Sequence, residues 1–275
     1  MVEHVRGLGD HDHVCWQYDG LPEFRVRAAE FLAEGLALGH RACYVASGDM
    51  ETLVEDLRGI DGVERALREG ALHVASLEAT YSSGAVIDPV AQVRAYARAT
   101  EDAVAAGFTG LRVAADATSL VAAPEQVDAF ARYEHMIDHH MAARPFSAMC
   151  AYDRARLDER TIAQVACMHP NTNTEAIGFR LHGAGDGVTA LGGEVDLFTA
   201  ELFTLALDRA DLRPQDGRLV LDATDLTFLD HNSLLHLAGH AAARDATVVL
   251  RTEWLGAARL VALLNLDNVH VEQVS

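Results

Sequence analysis

The segment Asp12-His13-Val14-Cys15-Trp16-Gln17-Tyr18 puts an imidazole and a thiol two residues apart inside an apolar run. On an extended strand such residues share a face, so His13 and Cys15 point the same way. Other polar groups fall on helical stripes. Val127, Phe130, Ile137 and Met141 recur at helical spacing, and Glu134 sits in the middle of them. Further on, Ile162, Val165 and Ala166 set a stripe on which His169 falls one turn later. A carboxylate or imidazole aimed into a core costs several kcal/mol unless it is paired.

Three chemistries fit. The first is a structural polar network, with Glu134 paired to a buried His or Arg. The second is a pocket for a small polar or halogenated ligand, in which His13, Tyr18, Asp116 and Glu134 supply hydrogen bonds beside Cys15, Cys150 and His169. The third is a metal or haem site drawn from His13, Cys15, Cys150 and His169. One strand gives two ligands where a closed zinc site needs four, and no sequence-local pair completes it. No metal is therefore assigned, and no cofactor is named. His135, His139 and His140 face in several directions and read as solvated. No Gly-rich oxyanion loop follows any cysteine, so no residue is assigned as catalytic.

A second locus is Leu226-Thr227-Phe228-Leu229-Asp230-His231-Asn232-Ser233. It reads as a short buried strand that stops at an acidic loop and turns at once into a helix. Leu226, Phe228, Leu229 and Leu235 read as core. Asp230, Asn232 and Ser233 would then share one exposed edge, where a signalling domain carries a phosphorylatable side chain.

These residues must be positioned by alternating elements. In residues 1–170, strands are expected at His13–Tyr18, Ala42–Ala46, Leu72–Ala75, Gly110–Ala115 and Phe146–Tyr152. Helices fall between them, at about Glu23–Leu38, Thr52–Leu57, Pro89–Ala106, Glu125–Ala142 and Glu159–Met168. Such βα alternation indicates a parallel sheet with helices on both faces. Asp116 closes an apolar strand at its carboxyl end, where open α/β sheets usually bind ligands. The polar stretch 171–175 reads as a linker. Residues 176–275 alternate again, as a smaller mixed sheet covered mainly on one face, with Thr199 and Asn232 as helix caps.

Composition narrows the function. Half of the 275 residues are hydrophobic, enough for two packed cores. The net charge of −19 argues against nucleic-acid binding, which rests on neutralising phosphates. It keeps the chain soluble and could steer it to a basic partner patch. No apolar run approaches the ~18 residues of a membrane span, and the first ten residues lack a signal-peptide core. A cytoplasmic location is expected. The chain contains no lysine, which removes P-loop, Schiff-base and lysine-base chemistry. Its four cysteines form no Cys-x-x-Cys pair and are expected as reduced, mostly core thiols.

The opening His13-x-Cys15-x-x-Tyr18, with Phe31-Leu-Ala-Glu-Gly-Leu36, Tyr44-Val-Ala46, Asp116 and Pro145-Phe-Ser147…Cys150-Ala-Tyr152, resembles the MEDS family over nearly all of residues 1–170. These are sensory domains of methanogens and methylotrophs, first associated with a dichloromethane regulator and thought to sense small hydrocarbon derivatives. The family is considered a degenerate relative of RecA-like ATPases. That implies a RecA-like parallel sheet without a P-loop, consistent with Tyr18-Asp-Gly-Leu-Pro-Glu23 in the loop's place.

Gly193-Glu-Val-Asp196-Leu, Leu219-Val-Leu-Asp222 and Phe228-Leu-Asp230 occur in the order of the STAS family, the fold of bacterial anti-sigma-factor antagonists, and the likeness covers about 100 residues. There a Ser or Thr within Asp-Ser-Ser/Thr-Gly is phosphorylated. Here His231 holds that place, followed by Asn232 and Ser233. Asp196 and Asp230 match the family's acidic edge. With His231 in the switch place the module is expected to work without the usual serine phosphoswitch, as a constitutive docking or dimerisation module, with Ser233 or His231 as the alternative phosphate acceptors. The resemblance implies a non-enzymatic signalling protein whose sensor responds to a ligand or to redox. The sensor would control a STAS module that docks on an anti-sigma factor or on a serine or histidine kinase, or that self-associates as a homodimer. The competing classes are a degenerate nucleotide-binding or hydrolytic α/β enzyme and a non-sensing scaffold.

Overall fold

The computed structural model describes residues 2–82, 84–174 and 177–274. Glu175 and Ala176, at the expected boundary, lie outside the described residues. The first unit runs β1 (His13–Tyr18), α1 (Leu21–Ala37), β2 (Arg41–Ala46), α2 (Met50–Glu55), α3 (Val63–Arg68), β3 (Leu72–Ser76) and α4 (Leu77–Thr80). It continues with α5 (Pro89–Ala105), β4 (Leu111–Asp116), α6 (Pro124–Ala143), β5 (Phe146–Asp153), α7 (Glu159–Ala166) and β6 (Asn171–Thr172).

The six strands form one sheet in the order β3-β2-β4-β5-β1-β6, every pair parallel. All eight residues of β5 are buried, as a central strand with both faces covered requires. One face presents Val14, Trp16, Tyr18, Tyr44 and Met149 to Phe24, Phe31 and Leu32 of α1. The other presents Cys15, Val113, Cys150 and Tyr152 to Phe130 and Ile137 of α6 and Val165 of α7. Asp49, Asp88 and Asp158 cap α2, α5 and α7 through amide hydrogen bonds.

The expected alternation holds, with additions. Two short helices, α3 and α4, carry no clear periodicity over so few residues. The segment expected as a linker starts with a strand. Asn171–Thr172 pairs with β1, and the Asn173 side chain extends that edge by accepting from Gln17 N and donating to Gln17 O, both at 2.8 Å.

The second unit runs β7 (Phe179–Gly183), β8 (Thr189–Val195), α8 (Ala200–Ala210), β9 (Arg218–Asp222), β10 (Leu226–Leu229), α9 (His231–Ala242), β11 (Thr247–Thr252), α10 (Gly256–Leu264) and β12 (Val269–Gln273). Its sheet order is β10-β8-β9-β11-β12, with β7 antiparallel to β8. Leu219, Leu221, Val248 and Leu250 share a core with Phe203, Leu207, Leu234 and Leu237. Asp230, not Asn232, caps α9, accepting from Ser233 N at 2.7 Å. Phe228 and Leu235 are exposed and do not join that core. The β10–β8 register shifts between Leu226 and Phe228, which takes Phe228 off the face that buries Leu226, and Leu235 lies on the outer side of α9 beside buried Leu234.

The two units share a packed joint. Ala131 of α6, with Cys167 and Met168 just after α7, belongs to the core of the second unit. Leu181 N donates to Cys167 O at 2.7 Å. A Cβ on Gly183 would sit 2.8 Å from His135 O and 2.9 Å from His139 N, so only glycine lets β7 approach the α6 backbone so closely. Arg209 of α8 bonds Asp128 Oδ1 at 2.7 Å and Gln164 Oε1 at 2.6 Å. This joint corrects the reading of the α6 histidines as solvated. His135 is buried and His139 half-buried because the side of α6 they occupy is covered by the second unit, while His140 is half-buried against Phe146 of the first unit.

Candidate functional site: a buried His–Glu–Cys–His cluster

Four elements converge on one point beneath the first sheet. β1 supplies His13, β5 supplies Cys150, α6 supplies Glu134, and the turn after α7 supplies His169. The pleat sends Cys150 to the same face as His13, and Cys150 Sγ lies 3.4 Å from His13 Nε2. Glu134 Oε2 is 3.2 Å from His13 Nε2, and Glu134 Oε1 is 3.5 Å from His169 Nε2. One ligand atom from each residue lies within 4.8 Å of every other. The two rings are tilted, with centroids 4.2 Å apart.

A surrounding shell orients these groups. Asp138, one turn beyond Glu134 on α6, accepts from His13 Nδ1 at 2.8 Å. His169 Nδ1 donates to Val165 O at 2.9 Å, satisfying a carbonyl at the end of α7. Tyr152 Oη donates to Glu134 Oε1 at 3.1 Å.

Burial disfavours charge throughout, and the carboxylates decide which imidazole carries it. Burial pulls His13 down, but Asp138 and then Glu134 outweigh it and hold His13 well above the usual imidazole range. Burial pushes Glu134 up, yet His169 and His13 bring it below the ordinary carboxylate value. His169 is held down to about 4, by burial first and by the neighbouring His13 second. Burial, with Glu134 adding, pushes the Cys150 thiol up to about 12. With no cation present the cluster is an ion-paired core: His13 charged between two carboxylates, His169 neutral, Cys150 a thiol.

The expected pocket residues thus divide. His13, Glu134, Cys150 and His169 come together. Cys15 shares their face and is Cα partner to Cys150 across the β1–β5 pair, but it stands outside the four-atom group. Tyr18 lies on the opposite face, stacked on Phe24 at 5.3 Å. Asp116 is committed to a turn at the carboxyl end of β4, accepting from Thr118 N at 3.1 Å and Thr118 Oγ1 at 2.6 Å. Thr118 Oγ1 in turn accepts from Asp153 N and sits 3.4 Å from Tyr18 Oη. A single pocket holding Tyr18 and Asp116 with His13 does not form, because strand parity puts Tyr18 and His13 on different faces. Sequence reading missed Asp138. Its signal was the i,i+4 spacing from Glu134, which stacks the two carboxylates on one helix face.

A family model described as the MEthanogen/methylotroph, DcmR Sensory domain (MEDS) matches residues 12–170, more than half the chain. The chain belongs to the MEDS family. All four clustered residues and Asp138 fall inside the MEDS match, and a sensory or regulatory role follows from it. No curated protein sequence matches the chain. Among solved structures, the flagellar accessory protein FlaH from Methanocaldococcus jannaschii is similar at 10% identity and a TM-score of 0.44. That alignment covers 65% of this chain and 74% of FlaH. A likeness at that level carries no functional argument.

The second locus lies beyond the MEDS match. β8 and β10 run parallel, so the turns after them meet at one sheet edge. Asp196 Oδ1 accepts from Phe198 N at 3.0 Å and Thr199 N at 3.1 Å, while Asp230 caps α9. His231 and Asn232 are exposed. Ser233 is fully buried, and its Oγ has no hydrogen-bond partner. The expected exposed edge therefore loses Ser233, which the first turn of α9 rotates into the core. The same edge exposes large apolar side chains: Phe198 at 91%, Leu197 at 75%, Leu255 at 74% and Leu263 at 78%. Phe228 and Trp254 pack edge-on beside them, 5.8 Å apart. Among the described residues no helix is long and apolar enough to cross a membrane.

Proposed function

We propose that the protein is a bacterial, cytoplasmic signal-transduction component without catalytic activity of its own. The MEDS unit senses a small ligand or a redox change at the buried cluster. The second unit, a STAS-like module, carries the output by docking on an anti-sigma factor or a kinase. The observation that carries this reading is the double engagement of α6. Glu134 and Asp138 of that helix face the cluster, while Asp128, Ala131 and His135 face the second unit. His169 adds a second route, following directly on Cys167 and Met168, which are packed into the second core. Any input that repositions Glu134 or His169 loads the joint, and a ligand shifts output only by its differential affinity for the two arrangements.

Three features support the output side. The strand order fits a STAS-like sheet, Asp196 and Asp230 stand at one edge, and an apolar rim surrounds them as a protein-docking surface would require. Burial of Ser233 favours an output without the usual serine phosphoswitch. The absence of lysine and of a Gly-rich phosphate loop favours a non-enzymatic role.

Hydrogen exchange read by mass spectrometry tests the coupling. Glu134→Gln is expected to change protection in 179–183 and in the 196–199 and 230–233 turns. Gly183→Ala, which forces β7 off α6, is expected to sever that response. If Glu134→Gln changes exchange only within the MEDS unit, the cluster is a structural network and the sensory coupling is wrong.

A further inference from the structure

We infer that His13, Glu134, Cys150 and His169 are the four ligands of one tetrahedral divalent transition-metal ion, zinc in type, held in the core of the MEDS unit. The inference deepens the sensory reading and rests on it for its regulatory meaning, though not for the binding itself.

Tautomer geometry is the first argument. His13 Nδ1 faces Asp138 Oδ1 at 2.8 Å and His169 Nδ1 faces Val165 O at 2.9 Å. Both partners are acceptors, so both Nδ1 atoms carry a proton. Nε2 of neutral His169 offers a lone pair as it stands, and Nε2 of His13 does so once the metal displaces its second proton. A carboxylate or backbone carbonyl behind Nδ1 is the usual outer support of a metal-bound imidazole, and it fixes ring orientation.

The second argument is convergence. The separations of 3.2 Å (His13 Nε2 to Glu134 Oε2) and 3.4 Å (His13 Nε2 to Cys150 Sγ) are close to tetrahedral edges, while His169 Nε2 lies 3.5 Å from the other carboxylate oxygen, Oε1. Metal–ligand bonds of about 2.0–2.3 Å give edges of about 3.3–3.8 Å. The widest pair in the group, within 4.8 Å, closes with a shift of about 1 Å.

Third, His169 Nε2 is buried with no hydrogen-bond partner, and Glu134 Oε2 is held only by the 3.2 Å ion pair with His13. A neutral imidazole lone pair left without a donor is an expensive arrangement in a core. A cation between His169 and Glu134 satisfies it.

Charge and softness select the ion. Ionised Glu134 and a Cys150 thiolate neutralise a dication, with two protons leaving to solvent as the metal binds: the Cys150 Sγ–H proton and the Nε2 proton of the charged His13. Imidazole and thiolate donors disfavour calcium and magnesium, which take oxygen ligands. With four protein ligands and no open position the site holds its ion in a structural or regulatory role. The ligands are at most 6% exposed, so loading accompanies folding or local opening. Cys15 lies near without completing the set. Glu134 takes the place that sequence reading offered to Cys15.

The test uses the full chain without a His-tag, expressed in Co2+-supplemented minimal medium. One equivalent of cobalt is expected, with tetrahedral d–d absorption and a near-ultraviolet sulfur-to-cobalt charge-transfer band. Cys150→Ser is expected to remove that band, and Cys43→Ser to leave it. Asp138→Asn should weaken Co2+ retention by about 10- to 100-fold while keeping the band. Near-ultraviolet circular dichroism checks that each variant folds; if Cys150→Ser does not, the wild-type spectrum decides. Less than about a tenth of an equivalent of metal in folded wild type, or a charge-transfer band that persists in folded Cys150→Ser, overturns the inference. Metal-free protein whose exchange still responds to Glu134→Gln would sink the metal site alone. Bound metal with exchange at 196–199 unchanged by its removal would leave the site standing and sink the sensory coupling.

Discussion

Lowering the pH from 7 to 5 is expected to remove about 2 kcal/mol of stability through His135 alone. That side chain sits in the joint between the units, its Nε2 3.4 Å from Thr189 Oγ1 and its ring edge-on to His139 at 5.0 Å. Burial first, then His139 and His182, hold it down to about 3. Because the folded value lies below the unfolded 6.5, the unfolded chain takes the proton first, and stability falls as the pH drops below 6.5. At pH 5 the gap to 6.5 is 1.5 units, at ~1.4 kcal/mol per unit, which gives about 2 kcal/mol. The loss reaches its limit only near the folded value, about 3. Urea unfolding of the wild type and His135→Gln at several pH values between 7 and 5 isolates this group, since His169 and the carboxylates contribute equally to both. The variant should lose about 2 kcal/mol less over the interval. Parallel pH profiles, within about 0.5 kcal/mol, would refute the placement of a neutral His135 in a closed joint.

Gly35→Ala should destabilise the MEDS unit by about 1–3 kcal/mol in urea titrations. Its Cβ would lie 2.4 Å from Cδ of the fully buried Arg112, which is itself pinned over Phe31 and bonded to Leu8 O and Glu34. Arg209→Ala should cost about 1–2 kcal/mol, discounted because Asp128 is well exposed. It should also raise proteolytic cleavage between 173 and 178 as the units part. Asp230→Ala removes the α9 cap and should cost about 1 kcal/mol in thermal unfolding, while Leu263→Ala, 78% exposed, should stay within about 0.5 kcal/mol. Larger losses from Leu263→Ala would mean that its side chain is covered.

Much of the architecture was legible because parallel βα units write themselves as apolar runs separated by amphipathic stretches. β1, β2, β4 and β5 read in this way, as did the long helices α1, α5 and α6. Glu134 and His169 stood out for the same reason, as polar groups on otherwise apolar stripes. Short elements were not legible: α3, α4 and β6 span too few residues to show a period. Asp138 was missed although its spacing from Glu134 was in view, because Ile137 beside it drew the stripe. Phe228 and Leu235 misled, since apolar type alone does not say whether a layer covers the side chain.

The sequence by itself determined that this protein is acidic and free of lysine, built of two α/β runs, with an imidazole, a thiol and a carboxylate turned inward. Periodicity carries that information, because a strand or helix assigns each residue to a face before any partner is known. Only the tertiary structure decided which inward groups meet. It brought Cys150 and His169 to His13 and Glu134, sent Tyr18 and Asp116 to another face, rotated Ser233 out of reach, and laid a second unit over His135. Those outcomes depend on strand order and on the packing of one layer against another, and contacts between residues over a hundred positions apart leave no local trace in a chain.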